Sequence, residues 1–403
     1  MKEKALILGA GIQGIACALA LQTKGYDVTL IDKCSELFNR ASLRNEGKIH
    51  MGFVYANDPS FQTASLMLES SLLFAPLLEE WSCEKIDWNR LISNKFTYVI
   101  HKDSMVPLDQ LLGHYQALQD YYQAYKTPYH HYLGGRPDAL WQKPERSHRL
   151  MNKNAVTSTL QTEELAIDLR KFKALLTQIV QSKKIKIEAN RTVKAVQKTS
   201  FGFRVEGETH EGKAWTEDAG IIVNCLWDNR LQIDATLGLA PTKPKWIYRL
   251  KYRLLGQLPA HLSSIQSYTF VLGPFGDIVT YPTGLTYLSW YPSCMRGWSE
   301  EVSPPKQWED ACRGLSSFDE HQDWAQEALQ GLTTFFPGMD QFKIQHIDAG
   351  TIFSWGNTDI DDHGSELHRR FKIGIHAHDG YYSIDTGKFT SAPFFAHQLL
   401  EKI

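Results

Sequence analysis

Residues Gly9-Ala10-Gly11-Ile12-Gln13-Gly14 spell G-x-G-x-x-G, a spacing suited to holding a diphosphate. Gly9 permits a tight turn, Gly11 lets the backbone approach an anion without a Cβ clash, and Gly14 lets a helix pack closely on a strand. A helix starting at Ile12 and Gln13 offers that anion free N–H groups and a positive dipole end. Asp32 follows, near the place about 20 residues on where an acid meets ribose hydroxyls. With Lys33 beside it, this acid reads as a nucleotide contact, and it disfavours a 2′-phosphate and hence NADP.

Other residues suit proton transfer or anion binding. His376 and His378 alternate along an expected strand, so both point to one face, and the near-neutral pKa of histidine suits a base or a substrate ligand. Asp379-Gly380-Tyr381 follows, and Gly380 and Tyr381 are expected at the cofactor because sites collect at strand ends in such folds. The spacing of His376 and His378 with Asp379 and His363 is too loose for a metal ligand set, so no metal is expected. A carboxylate substrate needs an arginine fork: Arg249 is the candidate, with Arg253 and Arg44 as alternatives. Trp246, Tyr248, Trp290 and Tyr291 are available to wall a site or to fill a sheet core.

Positioning these groups requires particular elements. Residues 4–8 and 27–31 are short apolar runs suited to buried parallel strands, and Ile12–Lys24 between them is helical, with Gly25 as a stop. Helices are expected over 59–82 (with Pro76 a kink or break), over 107–126 with its tyrosines, and over 163–181. Strands follow at 185–189, 192–198, 202–207 and 219–227. From 245 to 291 the alternation and aromatic content fit an antiparallel sheet. Residues 306–335 are helical, 370–385 form a strand and turn, and 390–402 form the last helix.

Composition removes several classes. The 403 residues are 43% hydrophobic and 22% charged, as in globular chains, and a formal net charge of −2 offers no field for nucleic acid or anionic lipid. Six scattered cysteines without C-x-x-C read as reduced thiols in a cytoplasmic protein. Residues 5–21 are uncharged, but three glycines interrupt them and the strand–helix–strand pattern runs through, which argues against a signal peptide. No other stretch approaches the ~20 apolar residues of an integral membrane segment.

Residues Ser42, Asn45, Glu46, Gly47, Lys48, Ile49, His50 and Gly52 carry a further pattern, Ser-x-x-Asn-x-Gly-x-Ile-His-x-Gly. It resembles the second FAD motif of the D-amino-acid-oxidase-like flavoproteins, a group with glycine and sarcosine oxidases, glycerol-3-phosphate dehydrogenase and L-2-hydroxyglutarate dehydrogenase. Leu165–Asp168, the strand at 190–196 with Val193, and the 221–229 segment with Cys225 resemble later parts of that FAD site. Trp227 departs, standing where glycine is usual. Thr386-Gly387-Lys388-Phe389-Thr390 resembles the family's C-terminal Gly-Lys-Leu-Thr. The likeness spans the chain and implies FAD as cofactor. It puts His50 beside the flavin, unattached, although some relatives link a histidine near this place covalently. Lys388 and the last helix would face the flavin pyrimidine edge, where reduction gathers negative charge.

The expected fold is therefore α/β plus β: a Rossmann-type FAD-binding domain (1–90, 155–240 and 345–403) interleaved with an antiparallel-sheet substrate domain (91–154 and 241–344). The expected function is oxidation of a small-molecule amine or 2-hydroxy acid by hydride transfer to flavin N5, with oxygen, quinone or a carrier protein as electron acceptor. Gly276-Asp277 and Pro282 fit the G-D-x-x-x-x-P pattern of flavin hydroxylases, an alternative along with an NAD-dependent dehydrogenase and a non-catalytic flavin-binding partner protein.

Overall fold

Apolar runs at either side of the glycine turn become β1 (Lys4–Leu8) and β2 (Asp27–Ile31), joined by α1 (Ile12–Thr23). The computed structural model that shows this describes residues 3–143, 150–242, 245–273, 275–317, 319–370 and 372–403. Residues 144–149, in the stretch read as substrate domain, and Phe371, at the head of the C-terminal strand, lie outside the described residues. The chain continues through β3 (Lys48–Ile49), α2 (Gln62–Ser82), β4 (Phe96–His101), α3 (Leu108–Tyr125), β5 (Trp141–Gln142), β6 (Val156–Thr162), β7 (Leu165–Ala166) and α4 (Leu169–Ser182). Next come β8 (Lys186–Glu188), β9 (Arg191–Thr199), β10 (Gly202–Thr209), β11 (Ala214–Ala219), β12 (Ile221–Asn224) and α5 (Arg230–Thr236). The last part holds β13 (Trp246–Gln257), β14 (Ser267–Val271), β15 (Gly276–Thr280), β16 (Thr286–Trp290), α6 (Tyr291–Cys294), β17 (Met295–Ser299), α7 (Glu309–Arg313), α8 (Gln322–Thr333), β18 (Lys343–Trp355), β19 (Gly374–His378), β20 (Tyr381–Asp385) and α9 (Ala392–Leu400).

The first sheet runs β19-β20-β12-β1-β2-β8, parallel except for β19. Both faces are covered, which is why its strands are nearly continuous apolar runs. Ala5 and Ile7 pack with α1, α2, α4 and α9, while Leu6 and Leu8 pack with Val193, Val196, Phe203 and Val205 of the small antiparallel sheet β9-β10-β11. The second sheet runs β17-β13-β16-β15-β14-β4-β6-β5, with β18 also paired to β13. Trp324, Ala325, Ala328, Leu329 and Leu332 of α8 pack on Leu254, Ile278 and Leu288 of that sheet.

Several expectations are corrected. The second sheet is mixed, because β4 and β14 pair in parallel. Residues 155–162 and 345–355, assigned with the first domain, supply strands β6 and β18 of the second sheet. Alternation reveals a strand but not the edge it pairs with. The helix expected from 163 starts at Leu169, because Leu165–Ala166 pairs with β3 and Asp168 Oδ1 caps it, accepting from Arg170 and Lys171 N–H at 3.1 and 3.4 Å. Pro76 sits inside α2 without ending it. The helix expected over 306–335 divides at Gly314, whose φ of 74° leaves the helical region. Gly276–Thr280, the start of the hydroxylase-like pattern, is a strand in the centre of the second sheet and does not lead into a helix.

The closest backbone approach in the glycine turn generates a test. A Cβ on Gly14 would sit 1.8 Å from the Gly9 carbonyl oxygen, so Gly14→Ala forces α1 away from β1. The expected loss is about 3 kcal/mol in denaturant unfolding. Gly113→Ala, inside α3 with no atom within 4 Å of its new Cβ, is expected to gain up to about 1 kcal/mol in the same measurement.

Candidate active site

One long cleft runs between the two sheets from the glycine turn to the segment before α9. At one end lie Gly9, Gly11, Ile12, Gln13, Asp32, Lys33, Thr192, Val193 and Cys225. The turn is pressed against the end of β12: a Cβ on Gly9, whose φ is 98°, would meet the Cys225 carbonyl oxygen at 2.7 Å. Asp32 is shaped by the backbone, with Oδ2 accepting from Ala10 N–H at 2.7 Å and Oδ1 from Cys34 N–H at 2.8 Å. Trp227, standing where a glycine is usual, holds the left-handed conformation a glycine would take, with φ of 51°. Its indole N–H donates to the Thr351 carbonyl at 2.8 Å, so the departure in residue type keeps the backbone shape.

The middle of the cleft is built by residues 40–50. Ser42 Oγ accepts from Ile12 N–H at 2.9 Å, which ties this loop to the start of α1. Asn45 donates to the Ala41 and Ser42 carbonyls at 2.9 and 3.0 Å and accepts from Gly47 N–H at 2.7 Å. Lys48 is buried, pairs with Asp277 Oδ1 at 2.8 Å, bonds Thr269 Oγ1, and lies 4.1 Å from the Phe96 ring centroid. His50 is 4% exposed, and neither ring nitrogen has a hydrogen-bond partner among the described residues. Its Nε2 lies 3.6 Å from Glu46 Oε1, and burial first, then Lys388, pushes its pKa below the ordinary histidine value.

Gly387, Lys388 and Phe389 close the far end. Burial, reinforced by Arg370, brings Lys388 down to about 8. Thr390 Oγ1 accepts from His50 N–H at 2.9 Å, so the C-terminal segment and the His50 strand are bonded directly. Around them the same cleft forms a chamber lined by Tyr55, Leu272, Phe275, Tyr287, Tyr291, Ile360 and Leu367, with Lys251 and Arg370 also on its wall. The Tyr55 hydroxyl is buried without a hydrogen-bond partner among the described residues.

Of the expected site residues, Gly9, Gly11, Ile12, Gln13, Asp32, Lys33, Ser42, Asn45, Glu46, Lys48, His50, Val193, Cys225, Arg249, Gly387, Lys388 and Phe389 line this cleft. Gly14, Gly47 and Thr390 stand behind it as packing and bonding positions; a Cβ on Gly47 would lie 2.2 Å from the Ile167 carbonyl oxygen. His376 and His378 are corrected: both are exposed on β19, the edge strand, outside the cleft. Gly380 and Tyr381 are likewise outside it. Gly380 makes the β19–β20 turn, and the Tyr381 hydroxyl is spent on Asn224 and Asp234 at 2.9 and 2.7 Å.

Arg249 reaches the cleft already engaged. It donates to Ser354 Oγ and the Thr358 carbonyl at 2.6 Å each and lies 3.2 Å from Asp359. Arg253 and Arg44 meet on Asp348, at 2.5 and 3.5 Å. Of the four aromatics proposed, only Tyr291 lines the cleft; Tyr248 packs on Phe353, and Trp246 donates to the Glu301 carbonyl. Sequence reasoning missed Arg370, Lys251 and Tyr55. Arg370 belongs to no motif, and Lys251 is one of several polar positions in an alternating strand.

The cleft fits an FAD: a cradle that Cβ atoms on Gly9 and Gly14 would spoil at one end, the orphaned His50 imidazole in the middle, and Lys388 at the other end. Among the described residues, no helix is long and apolar enough to cross a membrane. No curated protein sequence matches the chain. Solved structures share the fold. Glycine oxidase from Geobacillus kaustophilus superposes with a TM-score of 0.66 at 13% identity, covering 99% of this chain and 94% of that one. L-proline dehydrogenase from P. horikoshii gives 0.66 at 13% identity, covering 100% and 94%. Glycerol-3-phosphate dehydrogenase from Bacillus halodurans, complexed with FAD, gives 0.55 at 14% identity, covering 100% and 64%. The family described as "DAO: FAD dependent oxidoreductase" matches residues 4–401, so the chain belongs to that family of FAD-dependent flavoenzymes.

Proposed function

We propose that the chain oxidises a small carboxylate-bearing amine or 2-hydroxy acid at the carbon that carries the nitrogen or oxygen. Bound FAD supplies the hydride acceptor, its N5. The observation that carries the reading is Arg370, which faces the chamber and forms no ion pair among the described residues, its one side-chain bond going to the Gly387 carbonyl at 3.2 Å. A guanidinium in that state offers a planar fork to a carboxylate. The Tyr55 hydroxyl, without a hydrogen-bond partner among the described residues, is available to donate to the same group.

His50 suits the role of base. With its pKa held below the usual value it is neutral at pH 7, and a free ring nitrogen can accept the substrate's N–H or O–H proton. Glu46, 3.6 Å away, then stabilises the imidazolium. Leu272, Phe275, Ile360 and Leu367 keep water from the reacting carbon. Lys388 holds positive charge where reduction gathers negative charge. Amine and hydroxy-acid donors fit these contacts equally well.

Anaerobic mixing with a panel of amino acids and 2-hydroxy acids is expected to bleach the visible flavin band with at least one of them. A panel without any bleaching rejects the reading. Arg370→Ala is expected to raise the Kd of the active compound by about 10- to 100-fold, the worth of a lost charge-assisted pair of hydrogen bonds.

Lys388→Met is expected to lower the flavin midpoint potential by about 30 mV or more at pH 7, since about 1.4 kcal/mol corresponds to 30 mV for two electrons. The sign of the pH effect follows from a depressed lysine pKa: the cation is present below about pH 8 and lost above it. The potential difference between wild type and variant is therefore expected to shrink as pH rises through 8, as spectroelectrochemical titration will read.

A further inference from the structure

We propose that the chamber holds its substrate at two points, so that the molecule oxidised carries two acidic groups, one on Arg370 and a second on Lys251. This rests on the reading above that the chamber takes an anionic small molecule, and it adds the number and placement of the charges.

Lys251 stands in the interior of β13 and lines the chamber. The acids that act on it are Glu46 and Asp277, and both are committed elsewhere. Asp277 accepts from Lys48 at 2.8 Å, and Glu46 lies 3.6 Å from His50 Nε2. No carboxylate among the described residues lies within ion-pairing distance of the Lys251 ammonium, which lies 5.9 Å from the centroid of the Tyr291 ring and also feels the Tyr287 hydroxyl. An ammonium brings three donors and no acceptor, and holding it away from bulk water is costly until an acceptor arrives.

The charge around the chamber agrees. Lys48, Lys251, Arg370 and Lys388 face Glu46 and Asp277, while Arg249 is neutralised by Asp359. A singly charged substrate would leave positive charge unmatched, whereas a diacid supplies a partner for both Arg370 and Lys251, neither of which has an ion pair among the described residues. Both Arg370 and Lys251 lie near enough to Lys388 to lower its pKa, so the three cations surround one space. At the other pole the Tyr55 hydroxyl, buried and without a hydrogen-bond partner among the described residues, adds a donor near Arg370.

The test uses FAD-loaded protein and redox-inert acids in titration calorimetry. Succinate, glutarate and adipate are compared with butanoate, pentanoate and hexanoate, equal in length and one charge apart. At least one diacid is expected to bind about ten-fold or more tightly than its monoacid. Lys251→Met is expected to erase that advantage, and Lys251→Arg to retain it. Equal binding of diacids and monoacids by wild type, binding of neither, or an advantage that survives Lys251→Met overturns the proposal. Because no turnover is required, the outcome is separate from the oxidation reading. If diacids bind through Lys251 while no amino or hydroxy acid bleaches the flavin, the oxidation reading falls and the two-point site stands.

Discussion

The side-chain amide of Gln13 joins the two ends of the chain inside the protein. Its Nε2 donates to the Ala392 carbonyl at 3.0 Å and its Oε1 accepts from the Thr386 hydroxyl at 3.0 Å, both in a buried setting. Gln13 lies on the first turn of α1, one residue before the glycine that lets α1 press on β1. The bonds therefore hold the C-terminal segment at a fixed distance from the glycine turn. A long cofactor lying in the cleft needs that distance to be constant, because Gly9 and Gly11 line one end of the cleft and Lys388 the other. Two buried hydrogen bonds contribute only about 1 kcal/mol each, but leaving either group unpaired costs more, which makes the geometry definite.

The second constraint is electrostatic. Many cations crowd the cleft, and most are neutralised by dedicated acids: Lys48 by Asp277, Arg249 by Asp359, Arg253 by Asp348. Such buried pairs add little net stability, but breaking one leaves a charge stranded. They fix the walls and reduce the number of free charges. Arg370, Lys251 and Lys388, which have no ion pair among the described residues, are the part of the field a ligand can meet. The acids come from distant stretches, Asp277 from β15 and Asp359 from the loop after β18, so the field exists only after both sheets are assembled.

The elements that build the glycine-turn end of the cleft were legible in the sequence. The G-x-G-x-x-G turn, Asp32 and the Ser42–His50 segment work through local backbone geometry, and local geometry is written in neighbouring residues. Trp227 illustrates the limit: the residue type departs from the expected glycine while the backbone keeps the glycine-like conformation. The histidines of β19 illustrate the opposite error. Alternation placed them on one face, but no local pattern could say that the strand would form the exposed edge of its sheet.

What the sequence by itself determined was the strand–helix–strand unit with its glycine turn, the FAD-type motif that follows it, and the lysine before the last helix. Tertiary structure alone decided which of the arginines lining the cleft has no ion pair among the described residues. Arg249, Arg253 and Arg44 look as available as Arg370 in the sequence, and each of the first three is taken by an acid that folding brings to it. Long-range pairing of charges depends on which strands become neighbours, and strand order is a property of the whole chain.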